Sequence, residues 1–147
     1  MRNLPYVKAY VDGSFYQGRW GGGFAIYTPD NTLIYQDCGI GKDDPELNSM
    51  RNIAGEMSAA MAATQWIDYN VGKGIIIHDY IGLSKWVKSE WRATKPFTKL
   101  YAEWMRPFYV LGIIDFEWVK GHTNVEGNEI ADRLAKQSII LNQTWKS

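Results

Sequence analysis

One cysteine, Cys38, stands alone in the chain, which excludes an internal disulfide and a zinc site built from several thiolates. A lone thiol reads most simply as a small buried or half-buried side chain in a reducing compartment. Charge of one sign is lacking too: sixteen basic residues balance sixteen acidic ones, and the formal net charge is zero. Net charge therefore does not announce a nucleic-acid partner, although a local basic strip or bound cations could still provide for one. No apolar stretch approaches the ~20 residues needed to cross a bilayer. The opening segment MRNLPYVKAYVDGS has no long apolar core and runs directly into a strand pattern, unlike a secretory signal. A cytoplasmic protein with no membrane partner is the expectation. No Ser/Pro linker, repeat, charge block or low-complexity stretch interrupts the 147 residues, so one domain over 1–147 is expected.

What is abundant is aromatic surface. Seven Trp and nine Tyr require a core, and some surface, able to hold large flat side chains. From Val7 to Asp12 apolar residues alternate with Lys8, Tyr10 and Asp12, a period-two strand pattern. Gly21-Gly22-Gly23 leads into a second strand at Phe24 to Thr28, and the turn Pro29-Asp30-Asn31 precedes a third at Leu33 to Ile40. Ser49 to Tyr69 then carries Ile53, Met57, Ala60, Met61, Thr64 and Ile67 at spacings of three and four, one helical stripe. Gly74 to Asp79 is short and almost wholly apolar, like a strand covered on both faces. Helices near Leu83 to Trp91 and Thr98 to Val110 follow, separated by Pro96. A strand at Ile113 to Val119 and a closing helix at Val125 to Leu141 complete the order β-β-β-α-β-α-α-β-α. That order implies an α/β fold: a five-stranded mixed sheet, three antiparallel strands plus parallel ones, with helices on both faces.

Four acids sit at telling places. Asp12 ends the first strand in Val11-Asp12-Gly13-Ser14, and Asp79 ends the Ile-Ile-Ile strand. Glu56 borders the sheet-facing stripe of the long helix, where a carboxylate must be paired or bind a cation. Asp132 lies in the last helix beside Ile130 and Leu134. Taken singly, each reads as a turn residue, a cap or a solvated helix position. Taken together, two sit at the carboxyl ends of strands, where open α/β sheets build their sites, and two more lie on helices that must pack on the sheet. Gathered carboxylates repel one another unless divalent cations neutralise them, and oxygen donors of this kind suit Mg²⁺ or Mn²⁺.

These residues resemble a known family. Asp12-Gly13-Ser14, Ala54-Gly55-Glu56, His78-Asp79, and Gly121-His122-Thr123 with Asn128-Glu129-Ile130-Ala131-Asp132 are similar to type 1 ribonuclease H. Trp118-Val119-Lys120-Gly121-His122 is the most specific piece, resembling that family's last strand and the loop carrying its catalytic histidine. The resemblance runs from Val7 to about Lys136. It implies a ribonuclease H fold and an endoribonuclease that hydrolyses the RNA strand of RNA–DNA hybrids. Asp12, Glu56, Asp79 and Asp132 would hold two Mg²⁺ ions, with Mn²⁺ as a substitute. One ion would lower the pKa of the attacking water, the other would stabilise the leaving 3′ oxygen, and the products would be a 5′-phosphate and a 3′-hydroxyl. His122 would assist proton transfer or product release. His78 reads instead as a structural core residue. The partner implied is an RNA–DNA hybrid, met by a monomer.

For substrate binding, Asn52 falls where the family carries an asparagine that touches the minor groove. Departures surround it. Tyr16-Gln17-Gly18-Arg19-Trp20 replaces the family's Gly-Asn-Pro-Gly turn, and Tyr80-Ile81 stands where a glutamine is usual. Ser49-Met50-Arg51 replaces polar residues before the asparagine, and Arg51 is read as a grip on a DNA phosphate or as a helix-surface arginine. Between Tyr80 and Arg106, the basic residues Lys85, Lys88, Arg92, Lys95, Lys99 and Arg106 face only Glu90 and Glu103, with Trp86, Trp91 and Trp104 interleaved. They are expected to form a phosphate-binding ridge, with the tryptophans packing rather than stacking on bases. The alternative is two amphipathic helices with solvated lysines. Integrases, transposases and junction resolvases share the sheet and the acids but lack the Lys-Gly-His-Thr loop. A catalytically impaired copy that only binds nucleic acid is the remaining alternative, and the four acids and His122 argue against it.

Overall fold

In the computed structural model, which describes residues 1–121 and 125–146, strand β1 (Val7–Tyr16) and strand β2 (Arg19–Tyr27) form an antiparallel hairpin. Its turn is only Gln17 and Gly18, both at positive φ, 50° and 75°. That is the geometry whose twist matches two paired strands. The segment Tyr16–Trp20, expected as a loop, is therefore mostly strand. Strand β3 (Leu33–Ile40) adds antiparallel to β2.

The helix expected over Ser49 to Tyr69 is two helices. Asp44 caps α1 (Pro45–Met50), its Oδ1 accepting from Glu46 N at 2.9 Å and Leu47 N at 3.2 Å. Arg51, at φ 56°, breaks the run, and α2 (Asn52–Asn70) starts directly after it. Strand β4 (Gly74–His78) pairs parallel to β1, and β5 (Ile114–Trp118) pairs parallel to β4. Parallel pairs need crossover connections. Helix α2 supplies one, and α3 (Gly82–Val87) with α4 (Pro96–Val110) the other. Helix α5 (Glu126–Ile140) closes the chain, and the sheet order is β3-β2-β1-β4-β5.

Helices cover both faces, as alternate residues of β2 demonstrate. Gly22 abuts Gly55 and Ala59 of α2, whereas Gly21 and Gly23 abut Ser138, Ala131 and Leu134 of α5. The main core lies under α2, where Met57, Ile67, Ile76, Tyr101, Met105 and Ile114 are fully or almost fully buried. More of α2 is buried than its single stripe suggests, because it is packed against α4 as well as the sheet. Its small residues Ala54, Ala59 and Ala63 bury alongside Met57 and Ile67. Cys38 is buried, with Sγ 3.3 Å from Gln143 Oε1. Among the described residues, no helix is long and apolar enough to cross a membrane.

Candidate active site

Asp12 sits inside β1, not at its end, because the strand continues to Tyr16. Strand β4 stops at His78, and Asp79 follows it directly. The parallel register pairs Tyr10 with Ile77, so two residues further on Asp12 comes level with Asp79. Glu56 arrives from above. A Cβ on Gly55 would collide with the Gly21 carbonyl oxygen, and one on Gly13 with the Asn52 carbonyl oxygen. Gly13 and Gly22 of the hairpin and Gly55 of α2 together let the helix settle this close, and the next residue of the helix is Glu56.

One ligand atom from each of Asp12, Glu56 and Asp79 lies within 4.8 Å of the others. Asp132 is outside that group but adjoins Asp12, and its Oδ2 is 3.0 Å from Lys136 Nζ one helical turn on. The electrostatics are those of an uncompensated anionic cluster. Burial, then the charge of Asp79, with a smaller contribution from Asp132, pushes the Asp12 carboxyl up to about 7. Burial, then the charges of Asp79 and Asp12, holds Glu56 well above the usual carboxylate range. Glu56 is fully buried. Its Oε1 accepts from Asp79 N at 3.2 Å and Tyr80 N at 3.4 Å, while its buried Oε2 has no hydrogen-bond partner among the described residues. A buried carboxylate oxygen without a donor, facing two more acids, fits a hard divalent cation.

His78 is a core residue, as expected. It is 1% exposed, burial lowers its pKa to about 4, and Phe116 packs edge-on at 5.7 Å. His122 lies outside the described residues.

Arg51 and Asn52 are exposed at the junction of α1 and α2, and the Arg51 guanidinium stands 5.5 Å from the centre of the Phe15 ring. With Tyr80, Trp86, Arg92 and Lys95 they line a cleft of about 390 Å³ next to the acids. The rest of the basic strip does not converge there. Lys85 pairs with Glu90 at 3.4 Å, and Lys88 lies 5.5 Å from the centre of the Tyr109 ring. Arg106 donates to the Val87 and Trp86 carbonyls, both at 3.0 Å, and so closes the end of α3. Trp86, Trp91 and Tyr80 pack on one another, and Trp104 packs on Phe108. Sequence reasoning missed Lys136 as a partner of Asp132, although their spacing of four on a helix was the available signal.

The sheet order, the acid cluster and the adjoining cleft can be set against known proteins. The RNase H family model matches residues 5–140. The chain belongs to this family. A curated ribonuclease H from Jannaschia sp. (strain CCS1) is 28% identical over 157 aligned residues, covering 97% of each chain. The crystal structure of RNase H1 from the halophilic archaeon Halobacterium salinarum NRC-1 superposes with a TM-score of 0.76 at 19% identity, covering 92% of this chain and 98% of that one. LC11-RNase H1, solved in complex with RNA/DNA hybrid, superposes with a TM-score of 0.71 at 11% identity, covering 90% and 99%. At such identities the two structures speak for the fold alone. Family membership makes the chain a hydrolase of the ribonuclease H type.

Proposed function

We propose that this chain is an endoribonuclease that hydrolyses the RNA strand of RNA–DNA hybrids, leaving 5′-phosphate and 3′-hydroxyl ends. The observation that carries the reading is the Asp12–Glu56–Asp79 cluster, with the buried Glu56 Oε2 lacking a donor. Asp12, Glu56 and Asp79 would hold two Mg²⁺ ions, with Asp132 completing the set and Mn²⁺ as a substitute. When bound, the ions supply a lowered pKa for the attacking water and charge neutralisation at the leaving oxygen.

The chain's own residues do the rest. Because Asp12 and Glu56 have raised affinities for protons, cation binding at neutral pH releases protons from the cluster. Lys136 Nζ pairs with Asp132 Oδ2 at 3.0 Å and holds that carboxylate toward its own turn of α5. The cleft with Arg51, Asn52, Arg92 and Lys95 offers cations and an amide to a nucleic-acid backbone next to the acids. Tyr80 and Trp86 give the same cleft an apolar wall. His122 is assigned proton transfer or product release on the resemblance of its loop. One continuous sheet and core support a single catalytic domain over 1–147, and the lone Cys38 supports a reducing cytoplasm. We take the active form to be a monomer.

The test is a labelled hybrid incubated with Mg²⁺, beside duplex DNA, duplex RNA and an EDTA control. RNA-strand cleavage confined to the hybrid, and stopped by EDTA, is the expected result. Folded protein that binds the hybrid yet leaves it intact in both Mg²⁺ and Mn²⁺ overturns the reading.

A further inference from the structure

Asp79 and Tyr80 lie between β4 and α3, in neither strand nor helix, so their main-chain polar groups need partners from elsewhere. Side chains hold all four. Asp79 N and Tyr80 N donate to Glu56 Oε1. The Asp79 carbonyl accepts from Trp118 Nε1 at 2.8 Å, and the Tyr80 carbonyl is 2.9 Å from His78 Nδ1. The Tyr80 carbonyl also accepts from Leu83 N, at 3.1 Å. A carbonyl can only accept, so Nδ1 carries the proton and the ring is fixed in one neutral tautomer. Its other nitrogen, Nε2, is buried with no hydrogen-bond partner among the described residues.

Burial does not explain Trp118, which is 50% exposed at the end of an edge strand. Its register partner is His78, and Val119 N donates to the His78 carbonyl at 2.8 Å, carrying the ladder past the end of β5. The indole thus reaches across the sheet end to the main chain of the exposed acid. Asp79 has no helix or strand of its own to hold it, unlike Asp12 and Glu56.

We propose that Trp118 and His78 are positioning residues for Asp79: through the carbonyls of Asp79 and Tyr80 they aim its carboxylate at Asp12 and Glu56. They thereby set the affinity of the cluster for a divalent cation. The inference rests on the reading of these acids as a cation site. Groups that orient a ligand from behind typically change metal affinity by about 10–100-fold.

The test is Mn²⁺ binding by titration calorimetry on the full chain without nucleic acid. Trp118→Phe keeps an aromatic ring on the exposed strand end but loses the indole N–H donor together with the five-membered ring that carries it. His78→Leu loses its donor, and His78→Asn places an amide nitrogen where Nδ1 stood. Trp118→Phe and His78→Leu are expected to bind Mn²⁺ about tenfold more weakly, and His78→Asn within about threefold of wild type. In hybrid cleavage, the Mn²⁺ concentration giving half-maximal rate should rise in step, with the maximal rate recovered at saturation. Thermal unfolding in EDTA identifies folded variants, and should His78→Leu not fold, Trp118→Phe and His78→Asn still decide. Wild-type Mn²⁺ affinity and activation midpoint in Trp118→Phe overturn the proposal, as does His78→Asn falling well outside that range. Failure of the wild type itself to bind Mn²⁺ instead overturns the cation site, and the positioning role with it.

Discussion

The Glu56 carboxylate accepts a hydrogen bond from the main-chain nitrogen of Asp79 at 3.2 Å, so one acid of the cluster anchors the chain that carries another. The two cannot be treated as independent ligands. With Oε1 committed to the backbone and Oε2 buried without a donor, Glu56 is divided between structure and chemistry.

The raised pKa of Asp12 has a consequence for stability. A carboxyl raised from 3.8 to about 7 binds its proton more tightly in the folded state. The stability it allows is full below the unfolded value and is lost as pH rises through the folded one. His78, lowered from 6.5 to about 4, acts oppositely, since the unfolded chain takes up its proton first as pH falls. The two partly cancel between about pH 4 and 6.5, so the wild-type curve alone is ambiguous. Asp12→Asn isolates the acid. In EDTA, urea denaturation should show the variant gaining stability over wild type as pH rises from about 4 to about 7, and saturating Mg²⁺ should abolish the gain.

Removing the charge of Asp79 should cost catalysis far more than removing that of Asp132. Asp79 belongs to the group within 4.8 Å, whereas Asp132 stands outside it and is paired with Lys136. If cation-borne stabilisation is worth several kcal/mol, Asp79→Asn should slow hybrid cleavage by roughly a thousandfold or more. Asp132→Asn should retain measurably more activity. Single-turnover rates at saturating Mg²⁺ compare the two.

Arg92 and Arg106 belong to the same basic strip but should behave differently. Arg92 lines the cleft, while both hydrogen bonds of Arg106 go to the end of α3. Hybrid affinity measured against salt, on an Asp79→Asn background so that the RNA survives, should show Arg92→Ala lowering the salt slope by about 1. Arg106→Ala should leave that slope unchanged and cost about 2 kcal/mol of stability in urea, as two charge-assisted bonds to carbonyls are lost.

Gly55→Ala tests the contact that lowers α2 onto the hairpin. The added methyl meets the Gly21 carbonyl, which is backbone and cannot rotate away. A loss of about 3 kcal/mol, at the upper end for overpacking, is expected in urea denaturation, together with weakened Mn²⁺ binding because Glu56 moves with the helix. Gly18→Ala serves as the contrast. Its Cβ would meet open space, so only the left-handed φ of 75° is penalised, by about 1 kcal/mol.

Much of this molecule was legible in the linear chain. Hydrophobic periodicity is a local property, and it marked all five strands, because side chains alternate across a pleat and apolar runs mark strands buried on both faces. The chemical identity of Asp12, Glu56, Asp79 and Asp132 is likewise local, and so is the Lys-Gly-His-Thr motif that carries the family resemblance. What periodicity missed was conformation set at single residues. Arg51 gave no signal of a helix break, since a positive φ at arginine is decided by the packing of α1 and α2 on either side. The hairpin through Gln17-Gly18 was obscured by its aromatic neighbours.

The tertiary structure alone decided proximity. Spacing along the chain cannot say that Gly13, Gly22 and Gly55 let α2 approach until Glu56 reaches Asp12, or that the β1–β4 register sets Asp79 level with them. Nor can it divide a basic strip into Arg92 at the cleft and Arg106 capping a helix, because both carry the same charge and differ only in what lies within hydrogen-bond reach. The sequence by itself determined which groups could do chemistry. The fold determined which of them meet, because backbone contacts and hydrogen bonds over a few ångströms join residues tens of positions apart in the chain.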